Sequence, residues 1–330
     1  MHNKVTDNFR FVKLSRQTAT SINGYARKRT RQMTRSDLNE GKIDQGGKEK
    51  LLEFFCRHLV ALCVTYREVR GGVPVEKTSF FACPGVVLCI HGLCSFLTAG
   101  HALEDLSAHL ERGEIIIESA VLADTFGPGA MSETPIPFDL KNEPRFFIDD
   151  EEEGLDFGLI ALRPYYVALL AKHGIIALFE ENWINQSRVQ FDAYAMLGLP
   201  EEFITCEEGS SRNGSVVGKV APTVIGVKTI DRLTEDIKPT TYPRFMGQLH
   251  ENLPLSSIVG MSGGPILGFR YGPPATYWVV AIQSSWLRSK GIVFGCPLPV
   301  LAGLLTKWID GLSKSGEFQS FGEEERDKGP

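Results

Sequence analysis

The chain has 330 residues, 43% hydrophobic and 23% charged, an ordinary balance for a globular protein of one large or two modest domains. Its best apolar stretch, 167–179, is interrupted by Lys172 and His173 and is too short for a membrane span, and the N-terminus lacks the apolar centre of a secretory leader, so a cytoplasmic protein with no membrane partner is expected. The net charge of −5 conceals an asymmetry: residues 1–50 hold twelve Lys/Arg against five Asp/Glu, which leaves the rest of the chain strongly acidic.

Residues 1–46 read as a basic arm, disordered or loosely attached, densest at Arg27, Lys28, Arg29, Arg31 and Arg35. A solvated tail, a contact for nucleic acid or another acidic partner, and an organellar transit sequence all fit it. A first β unit follows over 47–165. It opens with a short amphipathic helix within 48–58 that carries Leu51, Leu52, Phe54 and Phe55. Strands are expected over 59–66, 79–82, 86–90, 94–99, 114–122, 145–148 and 157–162, with a turn at Arg70-Gly71-Gly72. An apolar, partly helical connection spans 166–185. A second strand series fills 186–312: 188–197, one or two strands within 215–230, then 265–269, 277–283 and 292–296. A closing helix over 299–312 places Val300, Leu304, Leu305 and Trp308 on one face. Residues 313–330 form a polar tail. Short strands at this spacing predict an all-β protein built of antiparallel barrels.

Seven cysteines are present: Cys56, Cys63, Cys83, Cys89, Cys94, Cys206 and Cys296. The count is odd and no CxxC pair occurs, so reduced thiols acting as small apolar fillers are expected, with no metal site and no cofactor.

The string Gly260-Met261-Ser262-Gly263-Gly264-Pro265 sets one serine among glycines. It satisfies the nucleophile-elbow pattern of α/β-hydrolases, in which acid and histidine follow the serine. Here no histidine lies beyond His250, so a base must lie upstream. Thr98-Ala99-Gly100-His101 follows a hairpin whose second strand would deliver His101 at its end. Asp156 opens the apolar run 157–162 just after an acidic loop, Asp149 to Glu153. That loop reads as solvated, or as a field favouring basic peptides.

These three motifs, in this order, resemble the chymotrypsin-like (trypsin-like) serine peptidases, in a bacterial-type form; the resemblance covers roughly 54–312. It implies two antiparallel β-barrels with His101 and Asp156 on the first and Ser262 on the second. It further implies a serine endopeptidase acting on a peptide or protein substrate, with Ser262 as nucleophile, His101 as general base and then acid, and Asp156 orienting the imidazole. The amides of Gly260 and Ser262 would form the oxyanion hole. Ser284, Ser285 and Trp286 fall on the strand that pairs with substrate backbone, with Ser284 near the acid of the triad. Ser256 falls at the base of the primary specificity pocket, and Trp286 where that pocket would be narrowed. Two departures bear on regulation. Met261 stands where digestive relatives carry an aspartate, and no Ile/Val-Val-Gly-Gly start follows a basic residue, so activation by N-terminal insertion is not expected. A catalytically silent peptide-binding module on the same fold, and a nucleic-acid-associated factor using the basic arm, are the alternatives.

Overall fold

The computed structural model describes residues 52, 54–124, 135–183, 186, 189–208, 216–230, 237–250, 255–271 and 276–315; the basic arm expected over 1–46 and most of the polar tail lie outside them. The all-β class expected from the strand spacing is the class observed. A 3-10 turn, Cys56–His58, leads into β1 (Val60–Arg70), β2 (Val73–Ile90), β3 (Leu93–Thr98), helix α1 (Gly100–Glu111), β4 (Ile115–Ala123), β5 (Ile136–Pro137), β6 (Arg145–Asp150) and β7 (Leu155–Ala161). Helix α2 (Pro164–Lys172) begins the connection. The second half holds β8 (Ala193–Gly198), β9 (Thr205–Glu208), β10 (Val216–Lys219), β11 (Thr223–Thr229), β12 (Phe245–Leu249), β13 (Pro265–Arg270), β14 (Thr276–Leu287), β15 (Ile292–Pro297) and helix α3 (Leu298–Ser315). Among the described residues no helix is long and apolar enough to cross a membrane.

The second half closes as a six-stranded barrel, β11-β12-β15-β14-β13-β8, with β9 and β10 as a separate hairpin. The first half is a seven-stranded antiparallel sheet in the order β5-β4-β1-β2-β3-β7-β6. The two units follow the all-β, two-unit plan expected, and among the described residues no ladder joins the edge strands of the first half. The two strands expected over 79–82 and 86–90 are one 18-residue strand, β2. Its first part pairs with β1 as far as Val60↔Gly85, and its last part pairs with β3 from Val86↔Leu97. Pro84-Gly85, which reads as a breaker, is where β2 passes between partners.

Leu62, Phe96, Leu122 and Ile160 are buried inside the first half, and Met196, Ile225, Met261, Ile266 and Val293 inside the barrel. A third apolar cluster joins Leu97 and Phe157 to Leu197, Ile282 and Leu301, so the halves and α3 share one interface. Burying a large aliphatic side chain contributes roughly 1.5–3 kcal/mol, which makes this seam a strong restraint on how the halves dock. Met261 is fully buried beside Ile258. The residue before the serine therefore anchors its loop in the barrel core instead of bearing a charge.

One expectation fails here. Cys89 and Cys94 are not free thiols but a disulfide, 4.0 Å apart at Cα. They face each other in the β2–β3 ladder because His91 (φ 49°) and Gly92 (φ 82°) form the two-residue, left-handed turn that a tight hairpin requires. The odd cysteine count hid the pair, since register rather than number decides it. Cys56, Cys63, Cys83 and Cys296 are buried thiols. Replacing Cys89 and Cys94 together by alanine is expected to lower stability by about 2 kcal/mol, the loop-closure entropy of so short a ring. Denaturant unfolding of wild type and variant, with intact mass before and after reduction, checks both bond and magnitude.

Candidate active site

β3 ends at Thr98, Ala99 stays extended (φ −71°, ψ 144°), and α1 starts at Gly100. His101 thus stands in the first turn of a helix, not at the end of a strand. Ala99 has no side chain able to cap that helix, and the missing acceptor comes from β7. Asp156 Oδ1 accepts the Gly100 amide at 2.6 Å and the His101 amide at 3.0 Å, while Oδ2 meets His101 Nδ1 at 2.8 Å. One carboxylate therefore caps the helix and holds the imidazole carried on it, and its charge suits the positive end of the helix. The Asp156 side chain is 12% exposed and that of His101 36%.

Behind Asp156 lies a residue that the sequence did not single out. The Asp156 amide donates to Cys296 Sγ at 3.1 Å, and the thiol donates back to the Asp156 carbonyl at 3.3 Å. Cys296 belongs to β15, so the second barrel grips the acid of the first. Burial pushes its thiol up to about 12, which keeps the proton on sulfur and makes it structural, not nucleophilic.

The serine loop is shaped by two left-handed glycines, Gly260 (φ 87°) and Gly263 (φ 95°). A side chain on Gly260 would press on the Leu199 carbonyl and the Glu201 amide, at 2.7 and 2.8 Å. One on Gly263 would collide with Thr98 Oγ1 and the Pro84 carbonyl of the first half. The loop is stitched to β14 by Gly263 N–H to the Gln283 carbonyl (2.8 Å) and Gln283 N–H to the Gly264 carbonyl (2.9 Å). Among the described residues, the amides of Gly260 and Ser262 donate to no protein acceptor.

Ser262 Oγ donates to the Ser284 carbonyl at 2.8 Å. Among the described residues it makes no hydrogen bond to His101. His101, Asp156 and Ser262 nevertheless line one cleft of about 1910 Å³, which opens between the two halves. Of the three sequence-derived residues, the structure brings two into contact and sets the third on the same cleft.

Ser284, Ser285 and Trp286 also line this cleft, at an irregularity in the β14–β15 pairing between Gln283 and Trp286. Ser284 is buried, and among the described residues its hydroxyl does not reach Asp156; its carbonyl is what meets the site. Trp286 is half-buried against the barrel core. Ser256 does not line the cleft. It is exposed, with its amide (3.0 Å) and hydroxyl (2.7 Å) both donating to the Glu202 carboxylate, which pulls it away from the position expected of it.

The remaining lining is acidic. Asp105 sits one helical turn after His101, and Asp149 lies opposite Asp156 in the β6–β7 register. The hydrogen bond that His101 Nδ1–H donates to Asp156 holds the imidazole above its ordinary value; burial opposes this, and the charges of Asp156, Asp149 and Asp105 add to it. Asp149 is itself raised, by burial and then by the nearby Asp156 charge. A base must be neutral to accept a proton, so activity of this site should rise with pH through a value above that of free imidazole. Asp105→Asn and Asp149→Asn each remove a charge that favours imidazolium. Both are expected to move the acidic limb of the kcat/KM profile to lower pH, and an unshifted limb would exclude the two carboxylates as modulators. The sign for stability is the opposite: a raised histidine stabilises the fold below its unfolded value and loses that contribution as pH climbs through the folded value.

No family model matches the chain, and no curated protein matches it. Among solved structures it is similar to an inactive mutant of the murine norovirus NS6 protease bearing a C-terminal extension, at 14% identity and a TM-score of 0.27, over 62% of this chain and 83% of that one.

Proposed function

We infer that the cleft is the active site of a serine peptidase. The observation that carries this reading is Asp156 holding His101 through Nδ1, which leaves Nε2 as the ring nitrogen able to take a proton, on the cleft that Ser262 lines. Ser262 Oγ would release the Ser284 carbonyl, attack the scissile carbonyl carbon and pass its proton to Nε2. The oxyanion would be received by the amides of Gly260 and Ser262, which are left without protein partners; one such donor is typically worth on the order of 10²–10³ in rate. His101 would then protonate the leaving amine, and water would release the acyl group by the reverse transfer. Asp156 would hold the tautomer and stabilise the imidazolium.

One observation favours a second reading. The Ser262 hydroxyl is engaged with a backbone carbonyl, not with the imidazole, as suits a peptide-binding module without turnover. A fluorophosphonate probe separates the two. Covalent labelling of the native chain, mapped to Ser262 and absent from Ser262→Ala, is the result expected of a peptidase. A folded chain that stays unlabelled across pH 6–9, in 0.5 M NaCl as well as at low salt, would leave only the binding module.

A further inference from the structure

We propose that residues 27–35 of this chain, Arg27-Lys28-Arg29-Thr30-Arg31-Gln32-Met33-Thr34-Arg35, occupy the acidic cleft of the same molecule as a basic peptide ligand. The consequence for activity rests on the peptidase reading; the binding itself does not.

Three observations converge. The first is charge. Among the described residues, nine carboxylates line the cleft against one lysine, Lys77, and one arginine, Arg244. Glu68 and Glu114 are neutralised by Arg70 and Arg112, but among the described residues Glu76, Asp105, Asp149 and Glu201 form no salt bridge. These four carboxylates are exposed on the cleft's surface, where their summed negative field attracts cations from solvent and is weakened by salt. Asp149 is raised, by burial first and then by the nearby Asp156 charge, and a bound guanidinium would oppose both effects.

The second is the distribution of charge along the chain. The part that builds the cleft is acidic, while five of the nine residues 27–35 are Lys or Arg and none is Asp or Glu. The segment carries the complementary charge.

The third is reach. The described chain meets the barrel at Phe54, whose ring packs edge-on against Tyr277 with 5.5 Å between centroids. Tyr277 and Ser284 lie on the same strand, β14, and at about 3.3 Å per residue their separation is about 23 Å. The chain from Arg35 to Phe54 can extend to about 60 Å, so the segment arrives with slack. Such a tether holds a ligand at an effective concentration in the millimolar range, enough for even weak electrostatic binding to fill the site.

The test uses the full chain. Lys28 is the only amine among residues 27–35, so a zero-length carbodiimide will join it to whichever carboxylate it touches. In Ser262→Ala protein at low salt, mass spectrometry is expected to find Lys28 joined to Glu76, Asp105, Asp149, Glu151 or Glu201, with at least a fivefold loss in 0.5 M NaCl, since screening weakens exposed pairs. Joining spread evenly over acids outside the cleft, such as Glu118 or Glu181, would overturn the proposal. As a second measurement, the full chain carrying glutamine at all five basic positions should label with fluorophosphonate at least ten times faster than wild type at low salt, with the gap closing at high salt. Equal rates would overturn the proposal. If neither chain labels, the peptidase reading fails, and the cross-link still decides whether the cleft holds this segment.

Discussion

Replacing Asp156 by asparagine is expected to lower kcat/KM by about 10⁴, the magnitude associated with this change in Ser-His-Asp triads generally. The geometry explains why so similar a side chain fails. Oδ1 accepts two amides at the start of α1, so the amide oxygen of asparagine is drawn to that side. Its NH₂ is then left facing His101 Nδ1, which must become an acceptor, and the ring proton moves to Nε2. The nitrogen needed as a base is thereby blocked. Helix capping survives, so the loss of stability should stay near 1 kcal/mol or below. The raised His101 titration should collapse toward ordinary imidazole, because its largest cause is the bond to Asp156. Peptide turnover, denaturant unfolding and the imidazole titration by NMR check the three parts. A variant that kept its rate within tenfold of wild type would remove Asp156 from the mechanism.

Gly263→Ala is expected to cost about 2–5 kcal/mol and to abolish fluorophosphonate labelling. At φ 95° an L-residue is strained by roughly 1–2 kcal/mol. The new methyl would also be driven into Thr98 Oγ1 and the Pro84 carbonyl and stand 3.0 Å from the Ala99 amide. These are mostly backbone atoms of the other half, which cannot swing aside, and overpacking of this kind typically costs another 1–3 kcal/mol. Relief by withdrawal would stretch the Gly263–Gln283 bond and carry Ser262 with it. Gly303→Ala is the control: a methyl there meets nothing within 4 Å, and in the middle of α3 alanine should gain up to about 1 kcal/mol. Paired unfolding curves for the two variants, with labelling rates, read both effects.

What the sequence reveals depends on how local its cause is. The strands around His101, Asp156 and Ser262 are legible because each is an apolar run bounded by a turn. The two-residue turn at His91-Gly92 is legible too, but its consequence, the Cys89–Cys94 bond, needs the register and not the composition. Helix α1 is invisible for a plainer reason. Its first residue follows Ala99, which has none of the usual capping oxygens, and the acceptor it uses belongs to Asp156, 55 positions on. Ser256 shows the reverse failure. Counting back six residues from Ser262 places it in a pocket, yet Glu202 offers two better hydrogen bonds and takes it elsewhere. Of the acidic lining near His101, the run from Asp149 is legible as an acidic field, but Asp105 could be placed only after α1 was known, since it shares a face with His101 by helical spacing, and Asp149 itself only once β6 was paired with β7, opposite Asp156.

The way Asp156 holds both α1 and the imidazole makes His101 and its carboxylate a single rigid piece of the first half, whereas Ser262 rides on the second. A slip between the halves would leave the acid–imidazole pair unchanged and alter only the gap to the serine. The Cys296 sulfur under Asp156 and the bare Gly263 backbone against Thr98 are two of the contacts between the halves that lie beside that gap. In the proposed mechanism a slip along the apolar seam would therefore act on the proton path through the serine alone, leaving the histidine's own partner in place.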